Sequence, residues 1–166
     1  RFKKMKIGVI SDTHIPDAAR HIPAAIAEAF KGVDLIIHVG DLVELSVLSE
    51  LAALGKEVKA VRGNMDKEEV ARKLPAKEVI KAANFRIGIM HGWGPPHKLI
   101  EALQEEFKNE DVDAVIFGHS HSPFNEKIGG VLYFNPGSAT DKVFAPYNSY
   151  GIIEITDKIE ARIIKI

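Results

Sequence analysis

The sequence predicts one α/β domain in which two packed sheets carry helices on their outer faces. Three observations lead there: short branched-aliphatic runs recur along the chain, amphipathic stretches separate several of them, and no low-complexity or Pro/Ser-rich linker divides residues 1–166. The first half repeats a strand–helix unit. Residues 5–10, 34–39 and 57–61 are apolar runs of the kind that suits parallel strands buried on both faces. Between them, residues 23–30 and 44–54 set Ile26, Ala29 and Phe30, and Leu45, Leu48, Leu51 and Ala52, at helical spacing, with Pro23 where a first turn tolerates it. A short helix over 68–71 follows. After Pro75 the pattern turns towards β: residues 78–82 and 85–90 read as an antiparallel pair, 99–107 as a helix and 114–117 as a buried strand. Gly129 and Gly130, between 124–128 and 131–134, supply the positive φ angles of a tight hairpin, and 150–155 with 159–164 form a last one.

With 166 residues, 46% of them hydrophobic, the chain can bury a sizeable core without disulfide or metal staples. Lys plus Arg number 22 against 23 Asp plus Glu, a formal charge of -1, so no global field draws the protein to nucleic acid or to a membrane surface. Phosphate recognition therefore has to be local. Cysteine is absent, which excludes disulfides, thiolate metal sites and cysteine nucleophiles, and fits a reducing compartment. No apolar run reaches the roughly 18–20 residues of a membrane span. The basic residues 1–4 lead directly into a strand rather than a signal peptide. A cytoplasmic protein whose natural start is Met5 is expected.

The residues that follow the apolar runs carry the chemistry. Asp12 and His14 come after the first, Asp41 after the second and Asn64 after the third; His91 follows 85–90, and His119 with His121 follow 114–117. All sit at the carboxyl ends of predicted strands, which in open α/β sheets line a single crevice. Mixed carboxylate, amide and imidazole donors suit first-row divalent ions, whereas an all-oxygen set would suit calcium or magnesium. Seven donors exceed the needs of one such ion but fit two that share a carboxylate. Asp41, alone on its loop after Gly40, is the natural bridge; Gly40, Gly63 and Gly118 permit sharp turns beside the donors.

The series Asp12-Thr13-His14, Gly40-Asp41, Gly63-Asn64, His91-Gly92 and Gly118-His119-Ser120-His121 resembles the calcineurin-like metallophosphoesterase superfamily. The short chain and its Asn135-Pro136-Gly137-Ser138 turn resemble the compact YfcE-type phosphodiesterases within it. The resemblance implies a four-layer α/β/β/α sandwich of two mixed sheets with flanking helices and a dinuclear site at the sheet edge. Asp12, His14, Asp41 and His121 would hold one divalent transition metal ion, and Asp41, Asn64, His91 and His119 the other. Manganese is favoured over nickel, iron and zinc. The implied activity is hydrolysis of small phosphate diesters by a metal-bridging hydroxide, with Asp41, Asn64 and His91 in the catalytic centre. A phosphomonoesterase or nucleotide hydrolase at the same site is the first alternative. A non-catalytic scaffold like the retromer subunit that this family also resembles is the second. The expected partner is a small phosphoester, with neither membrane nor nucleic acid, and a homo-oligomer is compatible with the sequence.

Two departures from the family pattern qualify that reading. Met65 stands after Gly63-Asn64 where many members have a proton-donating histidine, and a thioether cannot donate a proton. Asp66 and His97 are the nearest candidate donors, although Asp66 equally reads as a loop carboxylate before the 68–71 helix. Trp93 stands where relatives carry another histidine; it and His97 could contact substrate, as could Arg62 through a phosphate oxygen, the alternatives being packing for Trp93, a surface position for His97 and a structural salt bridge for Arg62. His38, inside an apolar strand, reads as a core or supporting histidine, His21 as solvated, and Ser120 as a loop-turning residue.

Overall fold

Side chains of β1 (Met5–Ile10) alternate between two apolar environments. Ile7 and Val9 pack with Leu35, Ile37, Ile87, Ile89 and Ile153, whereas Ile10 packs with Ile26, Phe30, Ile36 and Leu51. A strand buried on both faces in this way marks the inner layer of a sandwich. The computed structural model, which describes residues 3–166, contains two such sheets of five strands each. In the first sheet β1, β2 (Leu35–His38) and β3 (Glu57–Ala60) run parallel in that order. In the second, β5 (Phe85–Met90), β6 (Ala114–Ile116) and β8 (Val131–Asn135) are parallel. The strands β4 (Lys77–Ala82) and β7 (Phe124–Ile128) pair antiparallel at its two edges. The final hairpin, β9 (Ser149–Ile155) and β10 (Ile159–Lys165), returns to the first sheet. There β9 pairs antiparallel with β1, in register Met5 to Ile155, giving the order β10-β9-β1-β2-β3.

Helices α1 (Ala24–Phe30), α2 (Ser46–Ala52) and α3 (Glu68–Lys73) bury Ile26, Phe30, Val47, Leu51 and Val70 on the outer face of the first sheet. Helix α4 (Leu99–Phe107) buries Leu99, Leu103 and Phe107 against Val115, Phe117 and Tyr133 of the second. The result is the four-layer α/β/β/α arrangement of two mixed sheets. Contact between layers is close: a Cβ built on Gly8 would lie 2.6 Å from the Phe30 ring, and one on Gly88 would lie 2.4 Å from that of Phe107. Each glycine makes room for the aromatic ring of the helix above it.

Two helices differ from expectation in extent. α2 is shorter than residues 44–54, because the chain on either side of Ser46–Ala52 forms turns rather than continuous helix. α3 runs to Lys73 rather than 71, and the Arg62 guanidinium donates to the Ala71 and Leu74 carbonyls at its C-terminal end. Among the described residues, no helix is long and apolar enough to cross a membrane.

Candidate metal centre

The loops after β1, β2, β3, β5 and β6 converge at one end of the sandwich, and all seven sequence-predicted donors meet there. Their backbone is unusual. Asp12, His14, Asp41, His119 and His121 have φ angles of 51°, 43°, 56°, 70° and 57°, in the left-handed region that non-glycine residues rarely occupy. Strain repeated at five of seven clustered polar residues is characteristic of a functional site over-determined by its surroundings. Gly63 and Gly118 allow the loops to close in: added Cβ atoms would lie 2.2 Å from Asp41 Oδ1 and 2.2 Å from Ser11 Oγ.

The donors fall into two groups that share Asp41. In the first, ligand atoms of Asp12, His14, Asp41 and His121 all lie within 4.8 Å of one another. His121 Nε2 is 3.3 Å from Asp12 Oδ1, and His14 Nε2 is 3.6 Å from Asp41 Oδ2. In the second, His91 Nε2 is 3.3 Å from Asp41 Oδ2 and 3.1 Å from Asn64 Oδ1, which is also 3.1 Å from His119 Nδ1. Asp12, Asp41 and His91 are buried, and His14, His119 and His121 partly so. Asp12 Oδ1, among the described residues, is the buried side-chain polar atom without a hydrogen-bond partner. A buried carboxylate oxygen aimed at imidazoles and left unpartnered is costly unless a cation satisfies it. The donor set and that orphaned oxygen both fit divalent ions.

Outer contacts fix which imidazole atom faces the centre. His91 Nδ1 donates to the Val39 carbonyl at 2.7 Å, His119 Nε2 to that of Gly94 at 2.9 Å, and His121 Nδ1 to Asp141 Oδ2 at 2.5 Å. In each ring the opposite nitrogen points into the cluster, the arrangement by which ligating histidines are oriented. His38 lies below, accepting at Nδ1 from the Gly40 amide and donating from Nε2 to Thr13 Oγ1. Burial pulls its pKa down to about 4, so it is neutral and supports the loops, as expected.

Without ions, protons take the place of cations. Burial opposes protonation of His91, but its bond to Asp41 and the charges of Asp12 and Asp41 outweigh this and raise its pKa to about 9. The Asp12 carboxylate 3.3 Å away, together with the bond to Asp141, lifts His121 to about 9 against the effect of burial. Burial works against ionisation of Asp41, yet contact with His91 and the Met65 amide lowers its pKa. Burial also opposes ionisation of Asp141, which the His121 bond and the Val143 and Phe144 amides hold at about 2.

A cavity of about 460 Å³ opens over the centre, lined by His14, Asp41, Asn64, His119 and His121 together with Asp17, Ala18, Met65, Asp141 and Phe144. The other sequence candidates stand elsewhere. Arg62 caps α3 and does not line the cavity, so a bond to substrate phosphate gives way to a helix-end role. Asp66 accepts from the Gly63, Asp41 and Val43 amides at 2.6, 3.2 and 2.6 Å. Burial raises its pKa and the three donors oppose that; through these bonds it braces the loops around Asp41 and Gly63. Trp93 and His97 are exposed on the segment after β5, His97 in a 3₁₀ turn (Pro96–Lys98), and neither lines the cavity. His21 is exposed, 3.4 Å from Glu50, and Ser120 Oγ accepts from Asn135 and the Ser122 amide within its turn. Sequence reasoning missed Asp141 and Phe144. A carboxylate three residues after the Asn135-Pro136-Gly137-Ser138 turn was the available signal for the first; nothing marked the second.

A family description, the calcineurin-like phosphoesterase superfamily domain, matches residues 5–158. A probable metallophosphoesterase of Methanocaldococcus jannaschii is 40% identical over 165 residues, covering 98% of this chain and 82% of that protein. A phosphodiesterase of the same organism is 34% identical over 146 residues, covering 80% of this chain and 83% of that protein. Among solved structures, wild-type Vps29 of Entamoeba histolytica complexed with zinc superposes with a TM-score of 0.76 at 30% identity, covering 97% of this chain and 99% of that one.

Proposed function

The chain belongs to the calcineurin-like phosphoesterase superfamily, whose members use divalent metals, and on that basis we propose that it is a metal-dependent phosphodiesterase acting on small phosphate diesters at a dinuclear centre. The observation that carries the reading is the pair of donor groups joined through Asp41, with Asp12 Oδ1 buried and unpartnered between its neighbours. Asp12, His14, Asp41 and His121 would hold one ion, and Asp41, Asn64, His91 and His119 the other. Bound ions supply positive charge to phosphoryl oxygens and acidify water, with manganese favoured.

The chain's own contribution is to fix the donors. Val39, Gly94 and Asp141 hold the three imidazoles in one orientation, and Asp66 ties the Asp41 and Asn64 loops together. Met65, on the cavity wall, has no proton to give, and Asp66 is occupied by backbone amides. Leaving groups that depart as weakly basic anions are therefore favoured. A chain of this family with 34% identity to a named phosphodiesterase supports the diester preference.

Metal content and turnover of an aryl phosphodiester with manganese, compared in the wild type, Asp41→Asn and His91→Ala, test the reading. The wild type should carry two ions. Asp41→Asn should lose both, and its rate should fall by more than the roughly 10–100-fold that removal of an outer contact costs. No manganese-dependent turnover by the wild type, or an Asp41→Asn variant with full metal content, would overturn it. Parallel rates on mono- and diesters separate the phosphomonoesterase alternative. Likeness to Vps29 keeps a scaffold role as a second reading, and the seven donors standing together favour the enzyme.

A further inference from the structure

Resting on the phosphodiesterase reading, and naming its substrate class more closely, we infer that Phe144 and Met65 form an apolar subsite for a flat aromatic substituent on the phosphoryl group. Both side chains line the same cavity as the donor cluster, with Ala18 beside them, so a phosphorus held at the centre would carry one substituent along this wall. Phe144 is 80% exposed and Met65 59%, among the few large apolar side chains left uncovered in the described chain. A phenyl ring presented to solvent beside a polar centre is suited to stacking on a flat group. A thioether lining the same cavity adapts to the edge of an aromatic ring.

The wall is also held in place. Asp141 accepts from the amides of Val143, Phe144 and Ala145 at 2.8, 3.1 and 3.0 Å while its Oδ2 also accepts from His121 Nδ1. The Asn148 amide donates to the Asp141 carbonyl at 2.6 Å. Met65 is anchored from the other side, its N–H donating to Asp41 Oδ1 at 2.7 Å. Phe144 is thus tied through Asp141 to His121 of the first group, and Met65 directly to the shared Asp41, so the placing of both residues beside the phosphoryl position is set by the centre itself. Val143 is 78% exposed on the same loop but does not line the cavity.

Binding of phenylphosphonate and methylphosphonate to the manganese-loaded protein by isothermal titration calorimetry tests the assignment without relying on turnover. The wild type should prefer the phenyl compound, and Phe144→Ala and Met65→Ser should each reduce that preference about 3–10-fold at unchanged metal content. Val143→Ala should keep the wild-type ratio. If methylphosphonate binds but the wild type shows no phenyl preference, or if Phe144→Ala retains it, the subsite is wrong and the phosphodiesterase reading stands. Failure of both phosphonates to bind the loaded wild type removes the subsite and the phosphodiester site together.

Discussion

Asp12, at the heart of the site, illustrates how much one atom can decide. Its Oδ2 is satisfied by Ser11 Oγ at 2.7 Å, while Oδ1 has only the rings of His14, His91 and His121 within 4.0 Å. Without cations, the protonated rings of His91 and His121 answer its charge. Because His91 and His121 hold their protons up to a pH of about 9, an entering ion must displace them. The sign follows: metal affinity falls as pH drops below about 9, by roughly tenfold per unit for each proton displaced. Calorimetry at pH 7.5 in buffers of different ionisation enthalpy should therefore register up to two protons released from these rings per dinuclear centre, beyond that lost by metal-bound water, and at pH 10 the contribution of the rings should be gone. The same pairs stabilise the metal-free fold in the opposite sense. With folded values near 9 against 6.5 unfolded, their contribution is whole below pH 6.5 and lost as pH rises through 9. At this scale the seven donors were legible in the sequence, because each follows an apolar run directly. The direction of Arg62, whose guanidinium reaches the end of α3, was not legible, since adjacency to Gly63-Asn64 says nothing about which way a long side chain turns. Asp141 went unseen because its partner, His121, lies 20 residues away with a hairpin between.

Helices and strands owe their pairing to complementary shape as well as to apolar pattern. Phe107 of α4 rests over Gly88 of β5, and Phe30 of α1 over Gly8 of β1, so in each layer a missing side chain receives a ring. Replacing Gly88 by valine should destabilise the fold by about 1–3 kcal/mol, as overpacking does, with partial recovery when Phe107 is also changed to leucine. Urea unfolding of the wild type and the two variants measures both effects; a Gly88→Val protein as stable as the wild type would show that α4 can lift freely. Hydrophobic periodicity predicted the strands and helices themselves, since alternation and helical spacing report which faces are covered. It did not fix the ends of α2, because residues flanking a helix can share its apolar face without sharing its hydrogen bonds.

For the molecule as a whole, the donors divide between the layers. Asp12, His14, Asp41 and Asn64 come from loops of the first sheet, and His91, His119 and His121 from loops of the second. Ions would therefore staple one sheet to the other and add to global stability. A ligand at 100 times its dissociation constant contributes about 2.7 kcal/mol. For a domain of this size that raises the melting temperature by roughly 5–10 °C per ion. Scanning calorimetry with manganese and with EDTA should show the difference, and coincident transitions would mean that no ion bridges the sheets. The two-sheet architecture was legible from alternating apolar runs. The strand order was not, since a sequence pattern records what each strand buries and leaves its neighbour open, as the placement of β9 between β10 and β1 shows.

That placement has a consequence for biosynthesis. The register joining Met5 to Ile155 leaves one edge of β1 without its native neighbour until residues 149–155 have emerged from the ribosome. Closing so wide a loop is entropically demanding and slow. A nascent chain paused before that point would present a bare, sticky strand margin to solvent or to a chaperone, and the first sheet would be completed only late in synthesis.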